Sequence, residues 1–474
     1  MTKDSDGGGL AQRLLRRATG AIRDAIVAET KEKGASYFAQ RLSEHFGRDA
    51  TTLPVIGEEV PLREHINVQS AIDALLARKG RAFELVGVLR AMYGSSDFSS
   101  LLQRESPLFG GNSPSLGPVQ YARFELPDGV AVRSVENGLF LVRSTEHAPF
   151  AVVVATPSEN QRYLNTFTMQ VMAEDPSHAE QVLSELRGFM RERSLYRGRV
   201  LSLTVENHSH IAVRFHTLPK VERAQIILPE GLLDRIERQT VRFSQHADKL
   251  RAMGRHIKRG VLLHGPPGTG KTFTAMHLAS CMPDRTTVLV TGRTQGLLQQ
   301  SCQLARMLQP ATVIIEDVDL IAEERTSAAA CNVPLLFELL NEMDGLAGDA
   351  DVLFVLTTNR PEILEPALAA RPGRIDQAIE VALPDEACRR RLIALYSDGM
   401  PVRLESVEEI VARTEGASGA FIKELLRKAA LVSVDRGADE VTDDDVRASM
   451  HELLVDGGPL TKALLGAKSS ASTS

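Results

Sequence analysis

The chain has 474 residues, too many for a single hydrophobic core, so roughly two to four domains are expected. Its apolar and charged fractions, 43% and 24%, are those of an ordinary soluble globular protein. A formal net charge of -6 argues against a dedicated nucleic-acid binder, though not against a local basic patch.

Cys281, Cys302, Cys331 and Cys388 lie far apart with no Cys-x-x-Cys pair. That suits buried thiols in a reducing compartment better than a disulfide frame or a zinc site. No apolar run approaches the length of a transmembrane segment, and the polar start does not read as a secretory signal. A cytoplasmic protein is expected.

Residues 1–9 read as disordered. Leu10 to Ala28 carries apolar residues at helical spacing, with Arg13, Arg16, Arg17 and Arg23 beside them. Its apolar face is alanine-rich and lacks aromatics. It therefore suits packing against its own domain or a neighbouring subunit better than lying on a membrane. Helical spacing continues over Ser36–Phe46, Val68–Arg78 and Arg81–Tyr93, with a loop at Leu53–Pro61. Residues 10–108 are thus expected to form a helical N-terminal domain, and residues 109–118 a linker.

Short β-rich runs follow at Tyr121–Leu126, Val130–Val135, Leu139–Arg143, Phe150–Ala155 and Leu164–Met172. Asp128-Gly129 reads as a turn and Asn137-Gly138 as a hairpin signal. With a helix over Ser177–Arg193 and strands at Val200–Val205 and Ile211–Phe215, residues 119–220 read as an α+β middle domain. His208 and His210 would share one face of a strand, but no third ligand is near, so a turn explains them better than a metal. These two regions are the candidates for partner recognition.

Val261 to Leu263 is a strand-sized apolar run. Gly265, Pro266, Pro267, Gly268, Thr269, Gly270, Lys271 and Thr272 follow, and then a helical stretch from Phe273 to Ala279. Strand, glycine-rich loop and helix in that order form the context of a phosphate-binding loop. The glycines let backbone N–H groups turn inward, and the helix adds its positive end. Lys271 would reach the β- and γ-phosphates, and the Thr272 hydroxyl would be a ligand of Mg2+. A second apolar strand, Thr312–Ile315, ends in Glu316, Asp317 and Asp319. Glu316 would hold the metal with Thr272, and Asp317 would polarise the attacking water. A third, Val352–Thr358, ends in Asn359, which can bond the γ-phosphate or the water. Alone, it reads better as a turn residue before Pro361.

Together these segments resemble the core AAA clade of the AAA+ ATPases over about residues 229–455. The resemblance is carried by Gly265–Thr272, the acidic strand end, Leu339-Leu-Asn-Glu-Met-Asp-Gly-Leu346, the run from Thr358 to Leu368, and Arg371-Pro-Gly-Arg-Ile-Asp376. It implies a P-loop α/β domain with a parallel sheet over 221–384 and a small helical lid over 385–456. The tail, 457–474, is polar and reads as disordered. The fold class expected is therefore multidomain: helical N-terminal domain, α+β middle domain, AAA domain and lid. The resemblance further implies a homo-oligomer, usually a hexameric ring, with ATP at each boundary. Asn359 falls at the sensor-1 position. Arg371 and Arg374 fall at the arginine fingers that reach a neighbour's γ-phosphate, and Gly419 and Ala420 in the segment beside adenine and ribose.

Three features depart from the family pattern. Glu316–Asp317 inverts the usual Asp–Glu order, as does the mitochondrial branch that translocates a folded iron–sulfur protein. The run Arg293–Gln300 lacks the pore aromatic and leaves Leu297 and Leu298 as its apolar grips. Ala369-Ala370 lengthens the approach to Arg371 by one residue. The expected activity is ATP hydrolysis by a ring that remodels or translocates a protein client chosen by residues 10–220. The alternative is an ATP-gated scaffold or signalling switch without threading. A nucleic-acid motor is disfavoured, since no dedicated nucleic-acid module is recognisable. A fused metalloprotease is excluded by the absence of His-Glu-x-x-His.

Overall fold

In the computed structural model the described residues are 36–90, 96–103, 113–157, 165–206, 210–291, 296–319, 339–343, 350–362, 364 and 375–453. The expected Leu10–Ala28 helix, both terminal tails, Cys331 and His208 lie outside them. The chain divides into two compact units, Met1–Leu195 with Thr204–Val213, and Tyr196–Leu203 with Arg214–Ser474.

The first unit is built on a six-stranded antiparallel sheet. Its strands are β1 (Val55–Pro61), β2 (Arg81–Leu89), β3 (Ser115–Gly117), β6 (Asn137–Ser144), β7 (Phe150–Ala155) and β8 (Thr166–Ala173), ordered β1-β8-β7-β6-β2-β3. A separate hairpin pairs β4 (Tyr121–Glu125) with β5 (Ala131–Val135), closed by the Asp128-Gly129 turn, with Gly129 at φ 76°. Helix α1 (Tyr37–Phe46) packs on one face of the sheet. Helices α2 (His65–Leu76) and α4 (Pro176–Glu192) pack on the other, and the short α3 (Phe98–Leu101) joins α1. Strand β7 shows how the sequence divides between the two cores. Phe150, Val152 and Val154 pack with α2 and α4, while Ala151, Val153 and Ala155 pack with α1. Period-two alternation sets this division, and a one-residue slip would exchange the faces. Each of the valines and the phenylalanine contributes about 1.5–3 kcal/mol when fully buried.

This sheet corrects the sequence reading in three places. Arg81–Leu89 is a strand, not a helix. Val86 and Val88 face the α1 core, and Gly87 lets β3 approach so closely that a Cβ there would lie 2.3 Å from the Gly117 carbonyl oxygen. Val55–Pro61 is an edge strand rather than a loop, with Pro61 at its end, where a missing N–H is tolerated. Asn137-Gly138 opens β6 and is not a hairpin turn, because β5 pairs with β4 and β6 with β2 and β7. The helical domain expected over 10–108 and the α+β domain expected over 119–220 therefore share one sheet, since β2 is hydrogen-bonded to β6 and β1 to β8.

A seven-stranded sheet is made of β9 (Val200–Glu206), β10 (His210–His216), β11 (Arg259–His264), β12 (Thr286–Val290), β13 (Ala311–Ile315), β14 (Val352–Thr358) and β15 (Gln377–Glu380), of which β11 to β15 belong wholly to the second unit. Their order is β10-β9-β12-β13-β14-β11-β15. From β9 to β15 the pairings are parallel. Strands β12, β13 and β14 are buried at every position, the mark of a parallel sheet covered on both faces. Helices α5 (Leu232–Glu237), α6 (Lys271–Ser280) and α7 (Leu298–Met307) belong to this region. Beyond it, α8 (Glu386–Ser397), α9 (Val407–Arg413), α10 (Gly419–Asp435) and α11 (Asp443–His451) share a core with Phe421, Ile422 and Leu425 at its centre. They form the helical lid, with a two-stranded parallel pair of β16 (Val402–Arg403) and β17 (Val441–Thr442). An N-terminal region of helix and strand, a parallel-sheet domain and a small helical lid thus make up the chain.

Candidate nucleotide site

The phosphate-binding loop leaves the C-terminal end of β11, the edge at which parallel α/β sheets bind ligands. Three glycines give it its shape. Gly265 has φ 144°, and a Cβ there would lie 2.3 Å from the Val381 carbonyl oxygen. Gly268 and Gly270 have φ 75° and 95°, where side-chain-bearing residues are strained. Gly270 is the N-cap of α6, so the first free N–H groups of that helix face the loop's mouth. Lys271 is 5% exposed, and its Nζ donates to the carbonyls of Gly265 at 2.8 Å and Pro266 at 2.7 Å. Burial pulls its pKa down to about 8, against the opposing pull of the Asp317 and Asp319 charges.

Beside it, the ends of β13 and β14 are tied together. The Asp317 N–H donates to Thr357 Oγ1 at 3.1 Å, and Asn359 Nδ2 donates to Asp317 Oδ1 at 3.1 Å. Asp317 sits in the left-handed region at φ 49°. Burial raises its carboxyl pKa, the Asp319 charge adds to this, and Lys271 and Asn359 oppose it. Burial also raises Glu316, helped by the Asp317 charge, and Glu316 Oε1 is buried without a hydrogen-bond partner.

The lid closes the other side. Ser418 caps α10 by accepting the Phe421 N–H at 3.2 Å, and the N–H of the preceding residue, Ala420, donates to the Gly268 carbonyl at 3.1 Å. A cavity of about 730 Å³ results, a volume suited to a nucleoside triphosphate. Of the residues expected at the site, Pro267, Gly268, Thr269, Gly270, Lys271 and Thr272 line it, with Asp317 and Asn359 at one end and Gly419 and Ala420 under the lid. Gly265, Pro266 and Glu316 are not among the residues that line it. Arg371 and Arg374 lie outside the described residues.

The two leucines expected as pore grips are corrected by the packing. Leu297 and Leu298 are 7% and 1% exposed, and Leu298 opens α7 against its own sheet. Neither offers an apolar surface to a passing chain.

Other wall residues escaped the sequence reading. Ile226, Ile227 and Leu228 line an apolar side of the cavity, and Tyr396 of α8 and Lys423 of α10 line the lid side, with Lys423 Nζ 6.0 Å from the Tyr396 ring centre. No motif marks these residues. The Leu228-Pro229 step signals only where a new segment begins.

Among the described residues no cluster of three or more His, Cys, Asp or Glu side chains could hold a metal ion by itself. A magnesium ion bound with a nucleotide needs no such cluster, since one or two protein oxygens and the phosphates suffice. The unpartnered, buried Glu316 oxygen and the Thr272 hydroxyl are hard-oxygen donors of that kind. No helix among the described residues is long and apolar enough to cross a membrane.

Comparison with known proteins agrees with this geometry. Residues 261–383 match the family described as "ATPase family associated with various cellular activities (AAA)", and residues 405–448 match the "AAA+ lid domain". A 289-residue stretch is 30% identical to the ATP-dependent zinc metalloprotease FtsH 3 of Sphaerobacter thermophilus, covering 58% of this chain and 56% of that protein. A 238-residue stretch is 33% identical to FtsH 2 of Symbiobacterium thermophilum, covering 47% and 40%. A 224-residue stretch is 34% identical to the proteasome-activating nucleotidase of Methanocaldococcus jannaschii, covering 44% and 52%. The chain spans about half or less of the length of the curated relatives it matches.

Proposed function

We propose, from the premise that residues 261–383 are an AAA ATPase domain of the core clade and residues 405–448 its AAA+ lid, that the chain binds and hydrolyses ATP to drive the remodelling of a protein. The observation that carries this reading is one cavity walled by Lys271, the Asn359-bonded Asp317 and the lid's Ala420. The relatives' names, a metalloprotease that depends on ATP and a nucleotidase that activates a proteasome, join ATP use to protein processing.

In this scheme Lys271 exchanges its two carbonyl partners for phosphate oxygens, and the N–H groups at the start of α6 take others. Asp317 accepts the proton of the attacking water at Oδ2 while Asn359 holds Oδ1. Its raised pKa makes it a better base than an exposed aspartate. Thr272 and Glu316 would hold Mg2+, whose chemistry when bound is to neutralise charge on the β- and γ-phosphate oxygens. Arg371 and Arg374 would enter from a neighbour in a homo-oligomeric, hexameric ring, so that turnover depends on assembly. The first unit would select the client, in the cytoplasm. The Glu316–Asp317 order allies the chain with the branch that moves a folded client.

The burial of Leu297 and Leu298 favours a second reading, an ATP-gated switch that docks partners without threading them. Phosphate release by the purified chain, with and without a trapped partner, tests the pair. Turnover that processes an attached client supports remodelling, and turnover that only changes partner affinity supports the switch. ATP binding without any turnover would remove both hydrolytic readings.

A further inference from the structure

The scheme above gives no task to a buried carboxylate that lies beside Asp317. Asp319 is 3% exposed and lies two residues beyond Asp317, past the end of β13. Its Oδ1 accepts two hydrogen bonds from the end of β14, from Thr358 Oγ1 at 2.7 Å and from the Asn359 N–H at 3.2 Å. The Thr358 hydroxyl in turn accepts the Arg360 N–H at 3.0 Å. A hydroxyl that accepts from an N–H must point its proton at its other neighbour, and an ionised carboxylate can only accept. The direction of every bond in the chain Arg360 to Thr358 to Asp319 is therefore fixed.

These bonds grip the corner where β14 stops and the backbone turns into Arg360-Pro361. Asn359 stands at that corner, and its side chain is the group that donates to Asp317. A carboxylate that holds the Asn359 backbone from one side thus sets where the Asn359 amide points on the other. Misplacement of a catalytic partner by about 1 Å can cost 10²-fold in rate.

We propose that Asp319 is a positioning residue for hydrolysis: its Oδ1 pins the Thr358–Asn359 corner and so keeps the Asn359 amide on Asp317. The inference rests on the ATPase reading above. It assigns Asp319 no contact with nucleotide, and it makes geometry the larger of its effects, beside the charge that helps raise the Asp317 pKa.

Steady-state ATP hydrolysis by the full chain, with nucleotide affinity measured separately using a fluorescent ATP analogue, tests it. Asp319→Ala is expected to lower kcat by roughly 10- to 100-fold with little change in KM. Asp319→Asn keeps an oxygen that accepts the same two bonds and loses only the charge, so its kcat is expected to stay well above that of Asp319→Ala. In an Asn359→Ala background, Asp319→Ala should add no further loss, because both changes break the same arrangement. Thr358→Val removes one of the two donors without removing the acid, and it should lower kcat at unchanged KM. That variant carries the test should Asp319→Ala fail to fold.

Three results would overturn the proposal: an Asp319→Asn protein as slow as Asp319→Ala, fully additive losses with Asn359→Ala, or an unaffected Thr358→Val. A parent chain that binds the analogue and turns over no ATP would defeat the ATPase reading itself, and the inference with it. Active parent protein with any of the three results defeats the inference alone.

Discussion

The side-chain amide of Asn359 donates to Oδ1 of Asp317 at 3.1 Å, across 42 residues of sequence. The bond occupies one of the two carboxylate oxygens of Asp317, and on the proposed mechanism the other takes the water's proton. Asp317→Asn keeps the size of the side chain and removes the base. The variant is expected to bind ATP and to lose turnover by roughly 10²- to 10⁴-fold. Phosphate release together with nucleotide binding checks this, and a full-rate variant would move water activation to another group.

Lys271 is held by two loop carbonyls and is almost fully buried, so its ammonium is already oriented at the loop. Lys271→Ala should lose ATP affinity. A ligand that binds only the folded state raises the melting temperature, so the ATP-induced shift of the parent chain should vanish in the variant. An unchanged shift would detach Lys271 from the phosphates.

Gly268 and Gly270 separate backbone strain from steric contact. Both have positive φ, and alanine in the left-handed region costs about 1–2 kcal/mol. At Gly270 a Cβ would meet nothing within 4 Å, whereas at Gly268 it would lie 2.8 Å from Ser418 Oγ and 2.9 Å from the Ala420 Cβ. Gly268→Ala should therefore displace the start of α10 and expose the Ala420 N–H. Amide hydrogen exchange at Ala420 should quicken in Gly268→Ala and stay slow in Gly270→Ala. Equal rates would mean that the loop does not hold the lid.

The lid carries its own acid-labile tie. Asp445 accepts from Arg436 Nε and Nη2, both at 2.7 Å, and from the Thr442 N–H at 2.8 Å. Arg436 first, and then Thr442, hold the carboxyl well below its ordinary 3.8, at about 2, against the cost of burial. A carboxyl whose folded pKa lies below its unfolded value stabilises fully above the unfolded pKa and loses that contribution as pH falls through the folded one. Asp445→Asn should therefore weaken the lid at pH 7 by about 1–2 kcal/mol, a figure discounted for the half-exposed Arg436. The difference between variant and parent should shrink between about pH 4 and pH 2. Hydrogen exchange in α11 at these pH values measures it, and a pH-independent difference would assign the effect to packing.

What the sequence reveals about this chain follows how local each signal is. The Gly265–Thr272 loop is contiguous and carries its own strand and helix, so its residues and shape could be read directly. The lid helices were legible for the same reason, since each repeats its apolar residues within its own length. Strand β2 was not, because Ala82, Leu85, Val86 and Leu89 also satisfy helical spacing. What makes it a strand is pairing with β6, more than 50 residues away. Asp319 was visible as an acid, but its partners Thr358 and Asn359 lie 39 and 40 residues on. Leu297 and Leu298 looked available because periodicity does not show which apolar residues a neighbouring sheet already covers.

The left-handed backbone at Asp317 gives the order of the two strand-end acids a further meaning. Aspartate tolerates that region better than longer side chains do, because its short carboxylate bonds locally and leaves the crowded space near Cβ clear. Glu316, on the residue before the bend, is under no such restriction. The two acids are therefore not interchangeable letters of a motif: the longer one sits before the bend and the shorter one at it. A glutamate exchanged into residue 317 would have to bear about 1–2 kcal/mol of left-handed strain there or shift the backbone to escape it.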